Sequence, residues 1–195
     1  MTDFFRAELD RHVDAIRRSI DTHSGVLETI VQVVVAAFRR GDKVMFCGNG
    51  GSAADSQHMA AEFVNRFAFD RAPLPSLALT VDGSVLTSIG NDSRFEYIFE
   101  RQVQALGRSG DVLIGITTSG KSANVLAALK AARKGGIVAV AFTSTDGAPL
   151  ITSHCDHVFA AESSETARIQ EVHEFALHAM AERVERLMFG QVDTS

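Results

Sequence analysis

Five short apolar runs, KVMFCG (43–48), PSLALTV (75–81), DVLIGITT (111–118), IVAVAFT (137–143) and HVFAA (157–161), are hydrophobic at successive positions rather than alternate ones. A strand with one wet face alternates, whereas a strand covered on both sides of the pleat does not. Between the runs lie SAADSQHMAAEFVNRF, SRFEYIFERQVQAL and SANVLAALKAARKGG, each long enough to serve as a crossover helix, and RIQEVHEFALHAMAERVERLMF follows the last run. Strands alternating with helices pair in parallel, so these runs predict a doubly wound α/β fold with ligands at the carboxyl ends of the strands.

Ahead of the first run, Phe5, Leu9, Val13, Ile16 and Ile20 recur at helical spacing, THSG (22–25) breaks the pattern, and VLETIVQVVVAAFRR runs up to Gly41. This predicts two N-terminal helices, the second so apolar that it must be buried in the fold or against another subunit. The 195 residues are expected to form a single domain, with 1–41 its helical part and 42–195 its α/β core. A net charge of -5 with interspersed signs offers no basic stripe for nucleic acid, and no apolar run approaches the roughly 20 residues of a membrane helix. A cytoplasmic location is therefore expected. Cys47 and Cys155 are isolated and read as buried packing residues.

Two strand-to-helix junctions carry glycines and hydroxyls, CGNGGSAAD (47–55) and ITTSGKSAN (116–124). Free N–H groups and the positive end of a helix dipole at such a junction suit an anion. Thr117, Thr118, Ser119 and Ser122 add hydroxyl donors, which makes the second junction the better phosphate site. GITTSGKS also matches the nucleotide-triphosphate loop letter for letter. That mechanism needs a bend at Gly115, but Ile116, Thr117 and Thr118 are β-branched and prolong a strand. The turn is expected at Ser119, too late to wrap a triphosphate, and Asp82 is a weak candidate for the magnesium ligand.

His58, Glu62 and Arg66 fall at i, i+4 and i+8 beside the apolar stripe Met59, Phe63 and Phe67. A salt-bridged surface would use the same spacing, but this helix opens directly from the glycine turn. In the C-terminal helix, Ile169, Val172, Ala176, Met180, Val184 and Leu187 form the packing set, while Gln170, Glu174 and His178 share another side. Spacing alone does not make a metal site here, because an amide ligand is unusual.

The ordered series CGNGGSAADSQHMAAEFVNRF, DRAPLPSLALT, IGNDSRFEYIFERQV, GITTSGKSANVLAALKAA and ARIQEVHEFALHAM resembles, over nearly the whole chain, the bacterial phosphoheptose isomerases of the sugar isomerase (SIS) superfamily. The resemblance implies a five-stranded parallel sheet between helices and a homotetramer with active sites at subunit interfaces. It implies conversion of sedoheptulose 7-phosphate to D-glycero-D-manno-heptose 7-phosphate, toward the activated heptose of lipopolysaccharide core. By motif, Asn49, Gly50, Gly51, Ser52, Asn91 and Asp92 would contact substrate, and Thr117, Thr118, Ser119 and Ser122 would hold its phosphate. His58, Glu62, Gln170 and His178 match the zinc positions, one ion per subunit, with Glu62 and Gln170 also touching substrate. Arg66 matches a further active-site position. Lys121 and Thr117 depart from the frequent asparagine and serine, which creates the accidental nucleotide-loop match. Enediol chemistry needs a base and an acid, for which Glu62 and His178 are the candidates. Non-catalytic SIS proteins that bind the replication initiator DnaA are the alternative; they depart at the catalytic positions, whereas Glu62 and His178 are both present here.

Overall fold

The computed structural model describes residues 2–190. Its elements in chain order are α1 (Thr2–Arg40), β1 (Val44–Gly48), α2 (Gly51–Val64), β2 (Ser76–Ala78), α3 (Gly83–Asp92), α4 (Glu100–Leu106), β3 (Val112–Ile116), α5 (Ala123–Lys134), β4 (Val138–Ser144), α6 (Ala148–Ile151), β5 (His157–Ala161) and α7 (Thr166–Phe189), with single 3-10 turns at Phe95–Tyr97 and Thr152–His154. The five strands form one sheet in the order β2-β1-β3-β4-β5, parallel throughout.

The continuous apolar runs are explained by a core on each face. Val44, Phe46, Val112, Ile114, Ile116, Val140, Phe142, Phe159 and Ala161 face α1, α2 and α7. Met45, Cys47, Leu113, Ala139 and Ala141 face the other way, onto α4 and α5. Both cysteines are buried thiols, pushed up to about 12, Cys47 by burial and Cys155 by burial and then by Asp156, so neither is a reactive thiolate.

Two expectations fail. The N-terminal part is one continuous helix of 39 residues, not two. A glycine inside a helix costs only about 1 kcal/mol, and the THSG stretch is anchored where the break was expected. Thr22 Oγ1 donates to Arg18 O, and His23 Nε2 meets Glu162 Oε1 at 3.0 Å. Buried Ser19 Oγ donates to Ala15 O and accepts from Glu162 N. Tertiary contact with α7 and β5 therefore overrides the local signal. The 39-residue rod is about 58 Å long, and its first turns leave Phe4, Phe5, Leu9 and Val13 exposed.

The crossover helix after β1 ends at Val64, so Arg66 lies beyond it and not on a third turn of the His58–Glu62 stripe. The cause is a buried ion pair. Arg71 donates to the carbonyls of Glu62, Phe63, Asn65 and Ala72. Glu185 of α7 accepts from Phe67 N, Ala68 N and Arg71 Nε at 2.9, 2.7 and 2.8 Å. The side chains of Arg71 and Glu185 are 2% and 0% exposed. Carbonyls and amides that would have extended the helix are spent on this pair instead.

Candidate active site

In the order 2-1-3-4-5 the winding reverses between β1 and β3, and the crevice outside the carboxyl ends of such neighbouring strands is where this fold type binds ligands. Both glycine-rich junctions lie there. After β1 the chain turns at Gly50, whose φ of 57° and ψ of -122° favour glycine. Ala53 N and Ala54 N donate back to Gly50 O, at 3.1 and 3.4 Å, which leaves the N–H groups of Gly51 and Ser52 as the ones without an intrahelical acceptor. Gly48 must lack a side chain because a Cβ would stand 2.6 Å from Ser52 O. Ser52 itself is buried under that turn, with its carbonyl accepting from Ser56 Oγ.

At the β3 junction the ladder ends at Ile116, but Thr117 N still donates to Phe142 O at 2.9 Å. The turn covers 118–120, one residue earlier than the β-branched run suggested. Thr117 Oγ1 and Ser122 Oγ bond each other at 2.9 Å, so the Ser122 hydroxyl does not cap α5. Thr118, Ser119 and Lys121 open onto a cleft of about 370 Å³ also lined by Asp146, Ser164 and Thr166. Gly120, at φ +66°, packs so closely on the chain at Gly147 that a Cβ would lie 2.4 Å from Gly147 O. Asp82 is a helix cap, accepting from Val85 N at 2.9 Å, which leaves the nucleotide-loop match without its metal partner.

A link between these loops was not anticipated. Asn49 Nδ2 donates to Asn124 Oδ1 and Asn124 Nδ2 to Asn49 Oδ1, both at 2.8 Å. Asn124 is buried, and its Oδ1 also accepts from Val125 N. A polar amide in the first turn of a helix otherwise rich in alanine and leucine was the available signal.

Helices α2 and α7 carry the ionisable groups to one place. His58 Nε2 lies 3.1 Å from Glu62 Oε1 and 3.4 Å from His178 Nε2. The His178 ring stands between the rings of His58 and Phe67, at centroid distances of 4.8 and 5.6 Å. His58, Glu174 and His178 each present a ligand atom within 4.8 Å of the others. Two imidazoles and a carboxylate form a donor set that fits a borderline divalent cation such as zinc. Asp55 Oδ2 is closed to solvent and has no hydrogen-bond partner. Burial first, and then the charge of Glu174, push that carboxyl up to about 6 against the opposing pull of His58.

The remaining candidates are spread out. Gln170 sits against Gly51, where an added Cβ would come within 2.7 Å of its Nε2. Arg66 is exposed past the end of α2. Asn91 and Asp92 end α3 and bond each other, with Asp92 lining a separate cleft beside Tyr97 and Arg101. His173, which the sequence reading passed over, is fully buried and donates from Nε2 to Thr143 O at 2.9 Å, pinning α7 to β4. Burial lowers it to about 4, the bond to Thr143 opposing, so it is neutral.

Comparison with known proteins bears on the family and the fold. A family model described as SIS domain matches residues 9–144. A phosphoheptose isomerase of Roseiflexus sp. (strain RS-1) is 52% identical over 184 residues, covering 94% of this chain and 93% of that protein. The phosphoheptose isomerase of Clostridium acetobutylicum is 45% identical and covers 98% of each. Among solved structures, the phosphoheptose isomerase from Francisella tularensis superposes with a TM-score of 0.90 at 31% identity, over 95% of this chain and 98% of that one. That from Neisseria gonorrhoeae superposes with a TM-score of 0.87 at 37% identity, over 94% and 98%. The chain belongs to the SIS domain family and, within it, to the phosphoheptose isomerases.

Proposed function

We propose that this chain converts sedoheptulose 7-phosphate to D-glycero-D-manno-heptose 7-phosphate through an enediol, toward the activated heptose of lipopolysaccharide core. The observation that carries the reading is the meeting of His58, Glu62 and His178 between α2 and α7, in a chain whose β3 also ends in a loop of four hydroxyl side chains. Glu62 is assigned the base: it takes a proton from carbon 1 of the ketose while His178 protonates the carbonyl oxygen at carbon 2. The enediol then loses its carbon 1 hydroxyl proton and regains one at carbon 2, which leaves the aldehyde with atoms and electrons in balance. Thr117, Thr118, Ser119 and Ser122 hold the phosphate, and Asn49, Gly50, Gly51, Ser52, Arg66, Asn91, Asp92 and Gln170 are assigned to the sugar. With His58, Glu62, Gln170 and His178 holding a zinc ion, Glu62 would be a weaker base and the ion would instead polarise the sugar oxygens.

The working form is assigned as a cytoplasmic homotetramer. Exposed Phe4, Phe5, Leu9 and Val13 on α1, and a helix α3 that has no buried residue although it carries Val85, Leu86 and Ile89, support burial against further copies. Among the described residues no helix is long and apolar enough to cross a membrane.

The test is an isomerase assay on sedoheptulose 7-phosphate with and without added zinc, run beside Glu62→Gln. The wild-type chain should turn over and the variant should lose nearly all activity. A wild-type chain inert under both conditions removes the functional reading; a variant near the wild-type rate removes only the assignment of Glu62.

A further inference from the structure

Asn49 follows β1 and Asn124 lies in the first turn of α5. Their carboxamides meet edge to edge, each donating to the other at 2.8 Å. A carboxamide is nearly symmetric in shape but not in polarity, so its surroundings must decide which edge is the oxygen. Val125 decides it. Its backbone N–H donates to Asn124 Oδ1 at 3.0 Å, and a donor in that place admits only the oxygen. Asn124 is 3% exposed, so a flipped amide would set N–H against N–H in the interior. The orientation of Asn124 then fixes that of Asn49, whose Nδ2 must meet an oxygen and whose Oδ1 must meet an N–H.

Asn49 itself is only half-buried. The pairing uses one N–H and one lone pair of its carboxamide, and among the described residues its side chain has no other hydrogen-bond partner. One donor and one acceptor of settled identity are left at the glycine junction beside the β1/β3 crevice. A sugar hydroxyl, which can both donate and accept, matches that pair.

We propose that Asn124 is a positioning residue for sugar binding. It touches no substrate itself but passes the polarity set by the Val125 N–H on to Asn49, so that a sugar hydroxyl meets a donor and an acceptor in set places. The proposal rests on the assignment of Asn49 to the sugar.

Steady-state kinetics on sedoheptulose 7-phosphate test it with two variants. Asn124→Ser keeps an oxygen at the start of α5 but is too short to reach Asn49. Asn124→Asp keeps the size and both accepted bonds, yet turns an oxygen toward Asn49 Oδ1 where an N–H stood. Each should raise KM about 10-fold, the effect of a hydrogen bond lost with its partner left unmatched. Over the same change kcat should stay within about threefold, as for an interaction made equally in ground and transition states. Partial unfolding would lower kcat and leave KM alone, so the split separates positioning from support of the fold. In an Asn49→Ala background the same changes at Asn124 should move KM by less than about twofold, because the effects of coupled residues do not add. A wild-type KM in either folded variant, a loss carried by kcat alone, or an equal rise in KM with and without Asn49 overturns the proposal. A wild-type chain that fails to isomerise the sugar phosphate removes the functional reading and this one with it; a wild type that turns over beside an unaffected Asn124→Asp removes this one alone.

Discussion

Replacing Glu185 with glutamine keeps the shape of the side chain but removes its charge and one of its two acceptor oxygens. The carboxylate accepts three bonds, at 2.9 Å from Phe67 N, 2.7 Å from Ala68 N and 2.8 Å from Arg71 Nε, with no exposed surface of its own. The amide nitrogen of glutamine would point a donor at one of these donors and leave Arg71 buried without a counter-charge. Losing one partner of a buried pair costs about 3–5 kcal/mol. For a chain of this size each kcal/mol shifts Tm by about 2–4 °C, so Tm should fall by roughly 10 °C at pH 7. Arg71→Met paired with Glu185→Leu should not rescue it, because the carbonyls of Glu62, Phe63, Asn65 and Ala72 would lose their shared donor. The sign of the pH effect follows from Glu185 itself. Burial raises its pKa, but the Phe67 and Ala68 amides and Arg71 outweigh it, so the folded value lies below the usual 4.5. Its stabilisation is complete above 4.5 and disappears as pH falls through the lower folded value. Thermal melts of wild type and Glu185→Gln from pH 7 to 3 should therefore show a constant gap that closes below 4.5. A Tm loss under about 3 °C, or a gap that widens in acid, would refute the argument.

Neutral, buried His173 titrates in a different window: burial lowers its pKa from 6.5 to about 4, so folding should lose about 3 kcal/mol as pH drops across that interval. Urea titrations of His173→Gln should lack this slope, and a slope equal to wild type would exclude His173 as its source. Gly51→Ala would put a Cβ 2.7 Å from Gln170 Nε2, the mobile end of a side chain. The fold should persist while kcat/KM on sedoheptulose 7-phosphate drops about 10- to 100-fold through displacement of that amide. An unaltered kcat/KM would show that the Gln170–Gly51 contact has no part in turnover.

The sheet was legible because each strand is apolar on both faces, and α7 because Ile169, Val172, Ala176, Met180 and Val184 keep a clean period and are all buried. What local pattern could not show was any boundary decided from a distance. Gly25 looks like a stop until Ser19 and His23 find Glu162 across the fold. Arg66 looks like a third helical turn until Arg71 and Glu185 claim the helix end. Helix α3 was missed because VDGSVLTSIGND carries turn-forming residues, Gly83 and Asn91 among them; only the Asp82 cap reveals its start. In the site, His58 beside Glu62 was readable from i, i+4 spacing, whereas the approach of Glu174 and His178 to His58 depends on how α2 crosses α7. Asn124 showed only as a polar amide at a helix start, and its role was hidden because its partner lies 75 positions away.

That amide pair has a consequence for selectivity. Two reciprocal bonds of 2.8 Å hold the glycine turn after β1 to the start of α5, immediately behind the hydroxyl loop. The two jaws of the crevice therefore keep a set gape, like a caliper locked at one reading. On the proposed function, a phosphate held by one jaw would present its carbon chain to the other at a distance the protein, not the ligand, has chosen. Sugar phosphates would then be sorted by length before any chemistry begins, and a change at Asn124 would reset the reading without touching the proposed acid, base or cation ligands.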